Sequence, residues 1–185
     1  SVTLPESLTA VNSSSFQDCA LLTEIVIPEN VTLVGNEAFS GCKRLKSIKL
    51  GSKVSEIGYS AFNECVSLES IDLGNVQKIG YKAFSGCTLM KELTIPKTVV
   101  EAGDDYWGGC INNSSIETVT FEEGIKKIPN YVCYGASSVK TVNLPEKEDT
   151  LDGYEIGVYA FRGTSLASVT LPESLTAVNS SSFQD

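Results

Sequence analysis

The chain has 185 residues, of which 42% are hydrophobic, and this supplies enough apolar side chains for a folded domain with a sizeable core. Its net charge is −9 and it has no histidine, which argues against nucleic-acid binding, because phosphates require a basic surface. No apolar run approaches the roughly 18–20 residues of a membrane-spanning helix, and no signal-peptide pattern opens the chain. We therefore expect a mature or excised segment that does not insert into a membrane.

Residues 1–18, SVTLPESLTAVNSSSFQD, recur letter for letter as residues 168–185. Independent drift toward the same eighteen letters is implausible. Either a unit was duplicated in a longer parent, or the chain was built so that its end repeats its beginning. In both cases we expect the two copies to take the same place in a repeating structure, and the chain to be a fragment of a longer array.

The whole chain divides into blocks of about 23 residues. They are 2–24, 25–47, 48–70, 71–92, 93–118, 119–141, 142–168 and the incomplete 169–185. In block 48–70, the alternation around Ile48 and Leu50 predicts a strand of about three to five residues with one buried face. Apolar residues then recur at intervals of three and four from Val54 to Leu68, which predicts a compact helical or 3₁₀ return segment. Burial within one block does not offset the entropy of ordering it, so the blocks must stack as a solenoid.

Five cysteines recur every 22 or 23 residues, at Cys19, Cys42, Cys65, Cys87 and Cys110. This regular interval indicates one structural position repeated in each block, and it does not indicate a disulfide framework. We expect each of these side chains to be a small buried hydrophobe. Because the chain has no C-x-x-C pair, we expect no metal, no redox chemistry and no cofactor.

The repeated pattern Ile-x-Leu-Pro/Gly-x-x-Val-x-x-Ile-Gly-x-x-Ala-Phe-x-x-Cys-x-x-Leu resembles the BspA-type leucine-rich repeat of bacterial and protozoan surface proteins. Its most specific part, Ala-Phe-x-x-Cys-x-x-Leu, stands at 38–45 and 61–68, and at 83–90 with methionine last. The resemblance implies an α/β solenoid: a right-handed superhelix with short parallel strands on one face and irregular, 3₁₀ or short helical segments on the other. It also implies display outside the cell and binding of host or partner proteins, with no catalytic residues.

The fifth block is the first clear departure from the pattern. Trp107 falls on the phenylalanine register, which predicts a place in the core, with a partly exposed anchor as the alternative. Tyr106 replaces a small alanine and is the better candidate for exposure. Three additional residues fall within 112–115, ahead of Ile116 at the leucine position.

The sixth block keeps its length and changes its core residues. Cys133 takes the phenylalanine position and Ala136 the cysteine position, and we expect Tyr131 and Tyr134 to refill the lost volume. A reactive thiol at Cys133 is the alternative, but the chain has no histidine to activate it, so a core role is favoured.

The seventh block carries an insertion of about five residues within 146–155. Five acidic residues against one lysine predict a solvated loop. A calcium site is one alternative, since Asp149, Asp152 and Glu155 are hard oxygen donors, although their spacing is not that of an EF-hand. A loop that contacts a protein is the other alternative.

The strand positions that point away from the core form a predicted surface of short polar and β-branched side chains. These positions are Thr3, Val26, Lys49, Asp72, Thr94, Thr120, Asn143 and Thr170. Such side chains suit a strand through propensity and solubility alone. They also form a shallow hydrogen-bonding platform without aromatic hot spots, on which binding would be spread over area.

Together these features predict a single domain over residues 1–185 that binds a host matrix or surface protein without catalysis, at the cell surface or as a secreted protein. The acidic second half, with thirteen acidic and six basic side chains in residues 93–185, contains the candidate contact residues. They are Tyr106, Trp107, Asp149, Asp152 and Tyr154, with Thr94, Thr120 and Asn143 on the strand face. The alternative is a structural spacer, or an array that assembles head to tail through uncapped ends.

Overall fold

The computed structural model describes residues 2–104, 107–146 and 153–184, which wind into a parallel β-solenoid of about seven turns. Each turn supplies strands to one or both of two ladders, with the apolar core between them. The first ladder contains β2 (Glu24–Val26), β4 (Ser47–Lys49), β7 (Glu92–Ile95), β9 (Thr118–Phe121) and β11 (Thr141–Asn143). The second ladder contains β1 (Ala10–Val11), β3 (Leu33–Val34), β5 (Glu56–Ile57), β6 (Lys78–Ile79), β8 (Glu101–Ala102), β10 (Lys127–Ile128), β12 (Tyr154–Ile156) and β13 (Leu175–Val178).

All strand pairs in both ladders are parallel, because every turn runs in the same direction as the turn before it. In the first ladder β2 pairs with β4, and β7, β9 and β11 form a three-stranded sheet. In the second, β1, β3, β5, β6 and β8 form one sheet, and β10, β12 and β13 form another. The register pairs Ile25 with Ile48, which confirms the repeat period read from the sequence.

The return segments are not helical, although the sequence spacing predicted helical or 3₁₀ structure there. Within the described residues the second ladder and tight turns take that place, and no helix is long and apolar enough to cross a membrane. Each regular turn contains two left-handed residues four positions apart, such as Ser60 (φ 50°) and Glu64 (φ 59°), which interrupt helical winding. The Phe39 N–H therefore donates to the Ala61 carbonyl in the next turn, at 2.8 Å. The solenoid of short parallel strands is confirmed, without helices.

A column of phenylalanines runs through the core of the first four turns. Phe16, Phe39, Phe62 and Phe84 stack nearly parallel, with centroid distances of 5.2, 5.6 and 5.6 Å between successive rings. One ring per turn gives a spacing slightly larger than the ~4.8 Å between paired strands. The stacked rings therefore show that equivalent positions of successive turns lie directly above one another.

Cys42, Cys65 and Cys87 pack beside this column as predicted, and they also donate hydrogen bonds, whereas Cys19 is only half-buried. The thiols of Cys42, Cys65 and Cys87 are buried and donate to the phenylalanine carbonyl of the preceding turn at 3.0, 3.1 and 3.3 Å. Burial raises the pKa of Cys42 to about 11 and that of Cys87 to about 12. All six cysteines are free thiols.

Cys110 does not share the position of the other regular cysteines, so this prediction was wrong. The Phe84 N–H donates to the Cys110 carbonyl at 3.0 Å, as the Phe62 N–H donates to the Ala83 carbonyl at 2.8 Å. Cys110 therefore occupies the alanine position. Its thiol donates to the Val132 carbonyl in the following turn, at 3.3 Å, whereas the regular cysteines bond to the preceding turn.

The additional residues of the fifth turn lie before Cys110, not within 112–115 as expected. Ile111 takes the phenylalanine position, and the Ser114 N–H donates to its carbonyl at 3.2 Å, so that Ser114 takes the cysteine position. Cys110 follows Cys87 by 23 residues only because the insertion moves the alanine position of the fifth turn to the place in the sequence where the cysteine position would otherwise fall. Spacing alone could not distinguish these two cases.

Cys133 takes the phenylalanine position of the sixth turn, as predicted. Its N–H donates to the Ala160 carbonyl at 2.8 Å, and the Ala136 N–H donates to the Cys133 carbonyl at 3.0 Å. The Cys133 thiol is buried, and burial raises its pKa well above the ordinary value. These contacts support a core role for this residue.

The volume lost at Cys133 is not refilled by Tyr131 and Tyr134, which are only half-buried. Instead Phe121, at the end of β9, is buried and meets the ring of Phe161 edge-on, with 5.9 Å between centroids. The residue paired with Phe121 in β7 is Ile95. A larger side chain from the first ladder thus supplies the ring that this part of the column lacks.

Candidate interaction surfaces

A broad concavity lies on the outer face of the first ladder in the C-terminal half, and we call it the sheet groove. It has a volume of about 1190 Å³ and is lined by β9, β11 and residues 168–174. Thr94, Thr120 and Asn143, which the sequence placed on one strand face, all line it. The Asn143 amide donates to the Thr120 hydroxyl at 2.9 Å, which fixes both side chains.

The sheet groove is open because the last turn does not continue the first ladder. Among the described residues, no backbone hydrogen bond joins 166–174 to 140–144. Val142 and Leu144 are therefore half-buried, whereas Val119 and Phe121, their counterparts one turn earlier, are buried. The groove consequently has an apolar floor next to an unpaired strand edge.

The rim of the sheet groove is acidic. Glu122, Glu123, Glu146 and Glu173 line it, and the lining lysine, Lys140, pairs with Glu117 at 3.0 Å. The hydrogen bond from Lys140 lowers the pKa of Glu117, which favours its carboxylate form. An acidic rim attracts a basic partner and repels an acidic one.

Tyr154 was expected to contact a partner from the inserted loop, but its side chain is buried. Only 4% of its surface is exposed, and its hydroxyl donates to the Pro145 carbonyl at 3.4 Å. Burial, with a smaller contribution from Glu123, raises its pKa to about 12. Tyr154 therefore packs the base of the seventh-turn insertion and does not present its ring to a partner.

Two of the three oxygen donors considered for calcium, Asp149 and Asp152, lie outside the described residues. The third, Glu155, pairs with Lys127 at 2.9 Å and accepts a hydrogen bond from Asn179 at 3.2 Å. These contacts lower the pKa of Glu155. Within the ranges that the structure describes, no group of three or more Cys, Asp or Glu could hold a metal ion.

Trp107 lies on the surface, so the expected core role is wrong. Its exposure agrees with the alternative, but a role as an anchor for a partner stays a prediction. In this segment an antiparallel bridge joins Asp104 and Gly108. The Asp104 carboxylate accepts the Trp107 N–H at 3.1 Å, and 62% of the tryptophan surface is exposed. Ile111 fills the core position instead. Tyr106, the other candidate in this segment, lies outside the described residues.

Aromatic side chains form a line across the turns at the corner that follows the second ladder, and we call it the aromatic ridge. Its members are Tyr59, Tyr81, Trp107, Tyr131, Tyr134 and Tyr159. Centroid distances are 5.7 Å for Tyr59–Tyr81, 6.5 Å for Tyr81–Trp107, 6.2 Å for Tyr131–Tyr134, 5.6 Å for Tyr131–Tyr159 and 6.1 Å for Tyr134–Tyr159. These contacts form two groups, one of Tyr59, Tyr81 and Trp107 and the other of Tyr131, Tyr134 and Tyr159. The groups approach each other at Gly108, where a Cβ atom would stand 2.9 Å from the Tyr134 ring and 3.7 Å from the Tyr81 ring.

Two cations lie against the ridge. The Lys82 ammonium is 5.1 Å from the centroid of Tyr81, and the Arg162 guanidinium is 5.5 and 5.1 Å from those of Tyr134 and Tyr159. All three distances fall within the ~6 Å range of cation–π attraction. The ridge therefore carries positive charge in a chain whose net charge is −9.

The sequence analysis missed the ridge, although the sequence contains a signal for it. Tyr59 and Tyr81 stand two residues before the alanine of their blocks, and Tyr159 stands one residue before Ala160. Neighbouring turns place such positions side by side, so tyrosines in one register predict ring contacts. The place of Trp107 in the same line has no such signal in the sequence.

Comparisons with known proteins agree with this architecture. The profile of the family described as "BspA type Leucine rich repeat region" matches residues 1–113 and 67–185, with six copies. The crystal structure of a T. pallidum leucine-rich repeat protein is 28% identical with a TM-score of 0.68, and the match covers 88% of this chain and 75% of that one. A leucine rich cell surface protein from Faecalibacterium prausnitzii is 26% identical with a TM-score of 0.56, covering 98% of this chain and 42% of that one. The comparison with curated proteins gives no match.

Proposed function

The chain belongs to the BspA-type leucine-rich repeat family, and from this we propose that it is a non-catalytic protein-binding module displayed at the cell surface or secreted. Repeat scaffolds of this kind present extended concave surfaces to their ligands. The description of the F. prausnitzii neighbour as a cell surface protein supports this location. The partner that we propose is a host matrix or surface protein.

The observation that carries the proposal is the sheet groove. Its hydrogen-bonding platform of Thr94, Thr120 and Asn143 lies beside the apolar floor of Val142 and Leu144. Short side chains lose little rotamer entropy when they are covered, and the unpaired edge of β11 offers backbone groups to an added strand. The acidic rim selects a partner with a basic contact segment.

The other candidate contact residues do not line the sheet groove in the described part of the chain. Asp149 and Asp152 follow the groove-lining Glu146 in the chain, and contact with the partner through them stays a prediction. Trp107 belongs to the aromatic ridge, and contact through Tyr106 stays a prediction as well. Assembly of the array head to tail, the alternative function, is likewise a prediction.

The groove is tested with Thr120→Lys and Asn143→Lys in one variant, assayed against immobilised matrix and cell-surface proteins. The added positive charges oppose a basic partner and obstruct the floor of the groove. We expect affinity for any partner bound by the parent chain to fall at least about tenfold, or roughly 1.4 kcal/mol.

The matched control is Asp72→Asn together with Glu69→Gln, which changes the net charge equally. Both residues are exposed near the first ladder, and neither lines the groove. The control should bind as the parent does. Equal affinity for the groove variant and the parent, or an equal loss in the control, would contradict binding at the sheet groove.

A further inference from the structure

We propose that the aromatic ridge is a second interaction surface, separate from the sheet groove, and that it binds an acidic extended segment of a protein partner. The ridge follows the second ladder, whereas the groove lies on the first ladder, and the two share no lining residue. The proposal therefore does not depend on the groove.

The first argument is the orientation of the rings. Tyr59 and Tyr81 lie with an interplanar angle of 30°, Tyr81 and Trp107 with 31°, and Tyr131 and Tyr159 with 30°. In these tilted and stacked pairs each ring covers part of its neighbour's face, which leaves more of the ring edges than of the faces open to a ligand. Aromatic edges carry the positive part of the ring quadrupole, and hydroxyl groups donate hydrogen bonds. Such a surface attracts carboxylates.

The second argument is the charge on the ridge. Lys82 and Arg162 lie over ring faces, and neither forms a salt bridge within the described part of the chain. Each cation therefore keeps its positive charge available to a ligand. Asp104, an acidic residue beside Trp107, accepts the backbone N–H of Trp107. Charge complementarity thus favours an acidic partner at the ridge and a basic partner at the groove.

Contacts between neighbouring rings also restrict the side chains of the ridge. Tyrosine and tryptophan present large contact area with few rotatable bonds, so binding immobilises little. Trp107 and Tyr59 are 62% and 42% exposed. The ridge crosses from the third turn to the seventh, and at ~4.8 Å per turn it is roughly 20 Å long. About six to eight extended residues cover that length.

The same ring orientation disfavours a neutral sugar as ligand. A sugar ring would pack flat on an open aromatic face, but Lys82 lies over the Tyr81 ring, and the rings of Tyr59 and Trp107 stand 5.7 and 6.5 Å from it. Edges and hydroxyl groups suit the carboxylates and backbone groups of a peptide better. A carbohydrate ligand is therefore the competing outcome of the test.

The experiment uses Trp107, the single tryptophan of the chain, as its reporter. Its emission is followed while a blocked peptide of about eight residues that alternates Glu and Gly is added. Matched titrations use the Lys–Gly peptide and a neutral glucose oligosaccharide. We expect a saturable change with the Glu–Gly peptide alone, and a weaker response at high salt because charges on an exposed ridge are screened.

Two charge-matched variants identify the site. Lys82→Gln with Arg162→Gln removes the ridge cations, and half-saturation should need at least about ten times more peptide. Lys53→Gln with Lys97→Gln removes the same charge from exposed positions elsewhere and should bind as the parent does. All four substitutions replace surface side chains, and circular dichroism verifies that each variant is folded.

The proposal is overturned if the folded parent gives no saturable response to the Glu–Gly peptide, or responds equally to the Lys–Gly peptide. A response to the oligosaccharide alone would also overturn it. So would unchanged binding in the ridge variant. Thr120→Lys with Asn143→Lys should leave the peptide response intact, so the failure of one surface is distinguished from failure of the other.

Discussion

At the scale of single residues, the small side chain of Cys133 at the phenylalanine position is accompanied by a large one, Phe121, in β9 of the first ladder. Ile111 and Cys133 interrupt the phenylalanine column in the fifth and sixth turns, and Phe121 enters from β9 to meet Phe161. Protein interiors are packed closely enough that such a change in volume must be matched nearby. In β7 the position paired with Phe121 is occupied by the smaller Ile95.

We predict that Phe121 and Cys133 are energetically coupled. Cys133→Phe alone should overpack the core and cost about 1–3 kcal/mol. Phe121→Ile alone should leave a cavity at a similar cost. The double variant restores the regular pattern and should be more stable than the sum of the two losses, as urea unfolding would measure.

The control for this cycle is Leu89→Ala, because Leu89 is 53% exposed. Its effect on the free energy of unfolding should stay within about 0.5 kcal/mol. Strictly additive effects of Phe121→Ile and Cys133→Phe would refute the compensation.

At the scale of elements, the corner after the second ladder depends on a close approach between neighbouring backbones. A Cβ atom at Gly80 would stand 2.4 Å from the backbone nitrogen of Tyr59, and one at Gly58 would stand 2.6 Å from that of Asn36. The Gly80 N–H donates to the Ile57 carbonyl at 2.8 Å across the same gap. Glycine is therefore required here for space, since the contacting atoms are backbone and cannot rotate away.

Gly80→Ala should separate the third and fourth turns and lower the free energy of unfolding by at least about 1–3 kcal/mol. The comparison is Gly74→Asn, at a left-handed glycine (φ 48°) with nothing within 4 Å of its hypothetical Cβ. Asparagine tolerates that conformation, so this variant should change stability by less than about 1 kcal/mol. Chemical unfolding of both variants measures the difference, and equal effects would count against the close-approach argument.

At the scale of the whole molecule, the buried thiols and one buried phenol link stability to alkaline pH. Burial raises the pKa of Cys42 to about 11, and those of Cys87 and Cys110 to about 12. It also raises the pKa of Cys133 and brings that of Tyr154 to about 12. Because each turn packs on its neighbours, the free-energy cost of ionising one buried group lowers the stability of the turns stacked on it.

The sign of the pH dependence follows from which state ionises first. The unfolded chain releases its thiol protons near the ordinary value of 9.0, whereas the folded chain retains them to higher pH. The stabilisation is therefore complete below about pH 9 and is lost as the pH rises toward the folded values. We expect each buried thiol to contribute up to about 1.4 kcal/mol per pH unit in that window.

Urea midpoints measured from neutral pH to pH 10 test this prediction, with Cys110→Ala as the variant that removes one titrating group. Its decline with pH should be shallower than that of the parent chain. A parent stability that stays constant across pH 9, or rapid alkylation of Cys42, Cys65 and Cys87 in the folded chain at neutral pH, would contradict the burial of these thiols.

Much of the fold could be predicted from the sequence, because it depends on periodic local patterns. The 23-residue period, the alternation around Ile48 and the cysteine at each regular turn predicted the stacked turns, the strand face and the buried thiols. Thr94, Thr120 and Asn143 were correctly expected on one surface, since alternate residues of a strand point the same way. The helical return segment was wrong, because three- and four-residue spacing does not reveal the left-handed residues that stop a helix.

The sequence by itself thus determined the repeat, its period and which side of each strand is buried, since these depend on neighbours within one block. Only the tertiary structure decided the register of the fifth turn and the exposure of Trp107, because the length of an insertion does not say where it leaves the core. It also decided that Phe121 replaces a missing ring and that Tyr81, Trp107 and Tyr134 meet around Gly108. Those contacts join residues from different turns, and they exist only once the turns are stacked.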